Sequence, residues 1–77
     1  MPFTSAISDE LNILAHFNLN TSQEGIKIHS DANPDVIAAA QRLFDKGLIT
    51  QPDGGYLTGL GQTAALHAQD LLRIVKG

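Results

Sequence analysis

The sequence has no cysteine, three prolines, one tyrosine and only five Lys and Arg residues among 77. Without cysteine there can be no disulfide scaffold and no thiolate metal site, and the expectation is a reducing, cytoplasmic compartment. No stretch approaches the roughly 18–20 apolar residues of a membrane-spanning helix. The start, Met1-Pro2-Phe3-Thr4-Ser5, has neither a basic region nor a long apolar run, so no secretory signal is expected. Positive charge is the scarcest resource. Eight Asp and Glu outnumber the cations and leave a net charge of −3. Proteins that bind duplex DNA draw most of their non-specific affinity from cations that neutralise phosphates. To bind DNA, this chain must gather its few cations on one face or act as a dimer.

Catalytic patterns are missing too. No serine sits in a Gly-x-Ser-x-Gly setting. Asp9 and Glu10 are neighbours, so on a helix they diverge by about 100° and cannot share a substrate. Gly54-Gly55 and Gly59-x-Gly61 lack the Lys-Ser/Thr of a phosphate loop. His16, His29 and His67 are 13 and 38 residues apart, without ligand spacing. His29 more simply packs or caps near a helix end. The reading is a protein that is not an enzyme and needs no cofactor or metal.

What is present suits one small domain over residues 1–77. Hydrophobic residues make up 43%, enough for a core. A chain this short buries only about 60–65% of its unfolded surface, so a partner or second copy would help it.

A first helix is expected from about 5 to 17, capped by Thr4 or Ser5, with Asp9 and Glu10 near its positive end. Ile7, Leu11 and Leu14 form its stripe, and Phe17 and Leu19 close the core. Thr21-Ser22-Gln23-Glu24 fits a capping box and predicts a short helix over about 22–29 anchored by Ile26. Burial of Ile28 would instead make that segment partly extended. Asn33-Pro34-Asp35 starts a third helix, about 34–46, with Val36 or Ile37, Ala40, Leu43 and Phe44 inward and Gly47 as its stop. Two short strands, 48–50 and 56–58, flank the turn Gln51-Pro52-Asp53-Gly54-Gly55. Thr58 caps a last helix of about 59–75. Gly59 and Gly61 would let it pack closely at its start.

The stretch Gln23–Ile49, then Tyr56-Leu57-Thr58-x-x-Gly61, resembles the helix-turn-helix and wing of small bacterial regulators of the MarR and PadR groups. The likeness covers about 5–77 and implies a mostly α winged helix-turn-helix domain with four helices and a small β-hairpin. More narrowly, Gln23–His29 and Lys46–Thr58 are similar to segments shared by a group of short uncharacterised bacterial proteins.

If the fold is a winged helix, the third helix would enter the major groove. Lys27, Arg42 and Lys46 would then touch phosphates, and Asn33 and Gln41 are the candidates to read bases. The plainer readings are scattered solubilising charge for the cations and a helix cap for Asn33. Asp31 and Asp35 would repel phosphates, and the hairpin tip carries Asp53 and no cation. Tyr56 can stack on a base or partner, or simply cover the sheet.

The last helix has more apolar residues than one face needs. Leu66, Leu71, Leu72, Ile74 and Val75 are candidates for a homodimer interface, against a broad intramolecular face. Two functions follow as expectations. One is a DNA-binding, regulator-like domain acting as a dimer. The other is a protein–protein interaction module that keeps the scaffold without binding DNA.

Overall fold

A computed structural model describes residues 2–21 and 23–77. Three helices and three strands follow in the order α1 (Ser5–His16), β1 (Ile26–Lys27), α2 (Pro34–Asp45), β2 (Ile49–Gln51), β3 (Gly54–Leu57) and α3 (Gly59–Lys76). The strands form one antiparallel sheet with β3 in the middle. Ile26 pairs with Gly55 and Lys27 with Gly54 on one side, and Ile49 pairs with Leu57 on the other. The protein is therefore mostly helical with a small sheet.

The short helix expected over 22–29 does not form, so there are three helices and not four. Ile26 and Ile28 are half-buried while Lys27 and His29 are exposed. That period of two is a strand pattern, and β-branched isoleucines favour it. Gly25 adds a helix penalty of about 1 kcal/mol. The Thr21 hydroxyl accepts from the Gln23 amide at 3.1 Å, and the Glu24 carboxylate accepts from the Asn18 side-chain amide at 3.2 Å. Neither bond belongs to a capping box. Ser22, also placed in that helix, lies outside the described residues.

The other starts have their expected caps. Thr4 Oγ1 accepts from Ile7 N, Asn33 Oδ1 from Asp35 N, and Thr58 Oγ1 from Gly61 N. Pro34 occupies the first turn of α2, where its missing N–H costs nothing. Gly47 ends that helix in the left-handed region, at φ 78°.

The core lies between the three helices and the inner face of the sheet. Ile13, Leu14 and Phe17 of α1 and its end meet Ala39, Ala40 and Leu43 of α2, Ile49 of β2 and Ala65 of α3. Each of the two expected stripes misses at one position. On α1, Leu11 and Leu14 face inward as expected, but Ile13 is buried in place of the exposed Ile7. On α2, Val36, Ala40 and Leu43 face inward as expected, with Ala39 buried in place of Phe44, which is 37% exposed. Leu19 packs against the core as expected. Gln69 of α3 donates to the Leu14 and Phe17 carbonyls at 3.2 and 2.8 Å, filling acceptors that the end of α1 leaves open.

The two glycines of the α3 start differ. Gly61 is buried, and a methyl there would collide with the Leu48 carbonyl oxygen, which already accepts from Thr58 N at 3.1 Å. Nothing lies within 4 Å of the same position at Gly59. Gly61→Ala is therefore expected to destabilise by about 1–3 kcal/mol through overpacking against rigid backbone. Gly59→Ala should stabilise by about 0.5–1 kcal/mol through a less flexible unfolded chain. Thermal melts followed by circular dichroism check both. Equal shifts of the same sign would show that the close approach at Gly61 is not maintained.

Candidate functional site

Glu10 is a charged residue at a core position. It precedes Ile13, Leu14 and Phe17 by three, four and seven residues, which puts it on the same face of α1. Its side chain keeps 7% of its surface, and two cations, one from α2 and one from the residue that caps its end, hold it. Arg42 Nε donates to Glu10 Oε2 at 3.1 Å, and Arg42 also donates to the Ala6 carbonyl at 3.2 Å. Lys46 Nζ donates to Glu10 Oε1. Burial works to raise the Glu10 pKa. The hydrogen bonds from Lys46 and Arg42, with their positive charges, outweigh it and hold the carboxyl below its usual 4.5.

This arrangement divides the residues that the sequence grouped as one DNA-contacting set. Arg42 and Lys46 are turned toward α1, with 36% and 54% of their side-chain surfaces in solvent. Their i, i+4 spacing, which on sequence marks a phosphate patch, here clamps one carboxylate. Asn33 is occupied as the α2 cap. Gln41 donates to Asp45 at 3.1 Å along the helix. Lys27 is 71% exposed and lies 3.9 Å from Asp53 at the hairpin turn. Lys27 and Gln41 border one groove between α2 and that turn, with His29, Ile37 and Asp53.

Acid surrounds the leading end of α2. Asp31 and Asp35 are exposed, and Asp9 lines a shallow cleft with Asp35 and Arg42. Arg73 is paired with Asp70 at 2.9 Å. Among the described residues, Lys76 is the one cation with no carboxylate within 4.0 Å. His16 ends α1, His29 follows β1 and His67 lies on α3. Among the described residues, no group of three His, Asp or Glu side chains is placed to hold a metal ion. No helix there is long and apolar enough to cross a membrane.

The apolar candidates of α3 are indeed at the surface. Leu66, Leu71 and Leu72 are about half exposed, and Ile74 and Val75 are 72% and 74% exposed. They do not share one side. Leu71, Leu72 and Val75 line a groove with Leu11, Ala15 and Ala68 between α1 and α3. Leu66 instead borders a hollow with Phe17, Leu19 and Leu57. Tyr56 is 47% exposed on β3 and is not in the core.

Glu10 and Gln69 are the two residues with a role that sequence reasoning missed. Glu10 carried a signal, since an acid at a stripe position needs a partner if it is buried. Nothing local marked Gln69, whose partners are 52 and 55 residues away.

Glu10→Gln leaves Arg42 and Lys46 without their counter-charge. Because both cations are partly solvated, the expected loss is about 1–2 kcal/mol, less than for a fully buried pair. The pH dependence has a definite sign. A carboxyl with a lowered folded-state pKa stabilises above its unfolded value and loses that contribution as pH falls through the folded value. The gap between native and Glu10→Gln proteins should be full at neutral pH and narrow below 4.5, the unperturbed value. Urea melts across that range measure it. A gap independent of pH would exclude the ion cluster as its source.

Comparison with curated proteins and with solved structures finds no match to this chain. One family model does match, over residues 1–76. By that match the chain belongs to the family described as a family of unknown function, DUF5669.

Proposed function

We propose that this domain is a cytoplasmic, non-catalytic protein–protein interaction module on a winged-helix scaffold, and that it does not work by neutralising DNA phosphates. The observation that carries this reading is the capture of Arg42 and Lys46 by Glu10. A phosphate would have to draw both cations from a buried carboxylate. Uncovering that carboxylate unpaired is costly. The exposed acids Asp31 and Asp35 at the start of α2, and the net charge of −3, act in the same direction. The exposed leucines, isoleucine and valine of α3 supply apolar surface that a protein partner can bury.

The scaffold reading is supported by the hairpin that directly follows α2 and by α3 packing back on α1. The scaffold departs from the four-helix form at Ile26–Lys27, which is a strand in place of the short helix.

A second reading, a DNA-binding regulator acting as a dimer, draws on the same order of elements. It is favoured by the groove beside α2 that Lys27 and Gln41 border. In it, Lys27 would meet a phosphate and Gln41 a base edge.

Fluorescence anisotropy with a labelled random-sequence duplex, at about 50 and 200 mM salt, separates the two. The expected result is no binding at protein concentrations on the order of tens of micromolar, even at the lower salt. Binding that weakens steeply with salt, and weakens again in Lys27→Ala, would overturn the interaction-module reading in favour of DNA.

A further inference from the structure

Resting on the interaction-module reading, we propose that the partner at the α1–α3 groove is a second copy of this chain, seated so that two α1–α3 pairs form a four-helix interface about a two-fold axis.

The groove carries both halves of a self-complementary contact. Its floor is low where Ser8, Ala15 and Ala68 contribute small side chains. Its wall stands high where Leu71 and Val75 project from α3. An isologous interface needs both on one patch, since every knob of one copy must find its hole on the same patch of the other. Leu71 and Val75 are one helical turn apart on α3 and are 49% and 74% exposed.

Charge favours a copy over an unrelated protein. None of the residues lining the groove is ionised: they are Ser, Leu, Asn and Ala from α1, and Ala, Leu and Val from α3. Two chains of net charge −3 can therefore meet here without apposing carboxylates. Asp70, which precedes Leu71 on α3, is paired with Arg73 at 2.9 Å, and the exposed Asp31 and Asp35 near the start of α2 do not line the groove.

Leu71, Leu72 and Val75, the α3 side of the groove, are 49%, 47% and 74% exposed and leave apolar surface in water that a second copy would bury. A chain that buries only about 60–65% of its unfolded surface gains stability by covering it.

Sedimentation equilibrium of the full chain, from about 1 to 100 µM, tests the proposal. The expected mass at the upper end is twice 8.2 kDa. Leu71→Glu and Val75→Glu should each raise the dimer dissociation constant by roughly 30-fold or more, the scale of an interface hot spot. Both side chains are exposed, so circular dichroism should show the native helix content in the variants. Leu66→Glu is the control. Leu66 projects about 140° away from Leu71 around α3, and its substitution should leave the dissociation constant unchanged.

A native chain that stays monomeric throughout overturns the proposal, and so does a dimer that survives both Leu71→Glu and Val75→Glu. These failures are separable from failure of the interaction-module reading. A monomer that binds no duplex DNA, and captures one specific protein through Leu71, keeps that reading and rejects the second copy. A monomer that binds DNA with a steep salt dependence rejects both.

Discussion

Everything in this molecule is arranged around one carboxylate that sits where an apolar side chain would be expected. Glu10 is on the inner face of α1, and a lone buried charge there would be prohibitive. Two cations one turn apart, Arg42 of α2 and its C-cap Lys46, make it tolerable, and in doing so they tie α1 to the end of α2. Arg42 adds a bond to the Ala6 carbonyl, which ties the same cation to the α1 backbone. The cluster is thus a register device as much as a source of stability. It also decides the surface chemistry. With Arg42 and Lys46 turned toward Glu10, the exposed polar residues of α2 include Asp35, Asp45 and an uncharged Gln41.

The second constraint is the junction of α2, the hairpin and α3. The Leu48 carbonyl accepts from Thr58 N, the Thr58 hydroxyl donates to the Gly47 carbonyl at 2.6 Å, and the same hydroxyl oxygen accepts from Gly61 N. One threonine therefore joins the end of one helix to the start of the next. Gly61 allows the contact because it has no side chain to collide with Leu48. The junction aims α3 back along α1, where Ala65 seats in the core and Gln69 reaches the carbonyls at the end of α1. Beyond Gln69 the core runs out while α3 continues, which is why Leu71, Leu72, Ile74 and Val75 stay in water. The family match covers all of these elements and assigns them no role, so the case for an interaction surface rests on this geometry alone.

Much of the local structure was legible. The caps at Thr4, Asn33 and Thr58 and the helix stop at Gly47 each follow from the chemistry of one or two side chains, and the hairpin turn expected over 51–55 is found at Pro52-Asp53, with Gln51, Gly54 and Gly55 drawn into the strands. The reading failed at residues 22–29. A capping-box pattern in four residues competed there with the alternation of Ile26 and Ile28 against Lys27 and His29, and the alternation won. It won because β3 offered Gly54 and Gly55 as backbone partners that no local pattern could reveal. On α1 and α2 one position each was misjudged, since Ile7 and Phe44 satisfy a stripe as well as Ile13 and Ala39 do.

By itself, then, the sequence determined where α1, α2 and α3 begin and end, the scarcity of positive charge and the surplus of apolar residues on the last helix. These are properties of composition and short spacing, and they hold whatever the chain packs against. Only the tertiary structure decided which charges meet and which apolar residues remain uncovered. Arg42 and Lys46 look the same on paper whether they await a phosphate or hold Glu10, which lies 32 and 36 residues away. The physical reason is that a charge takes its role from the group it faces. That group is supplied by the packing of α1 against α2, and no local spacing encodes it.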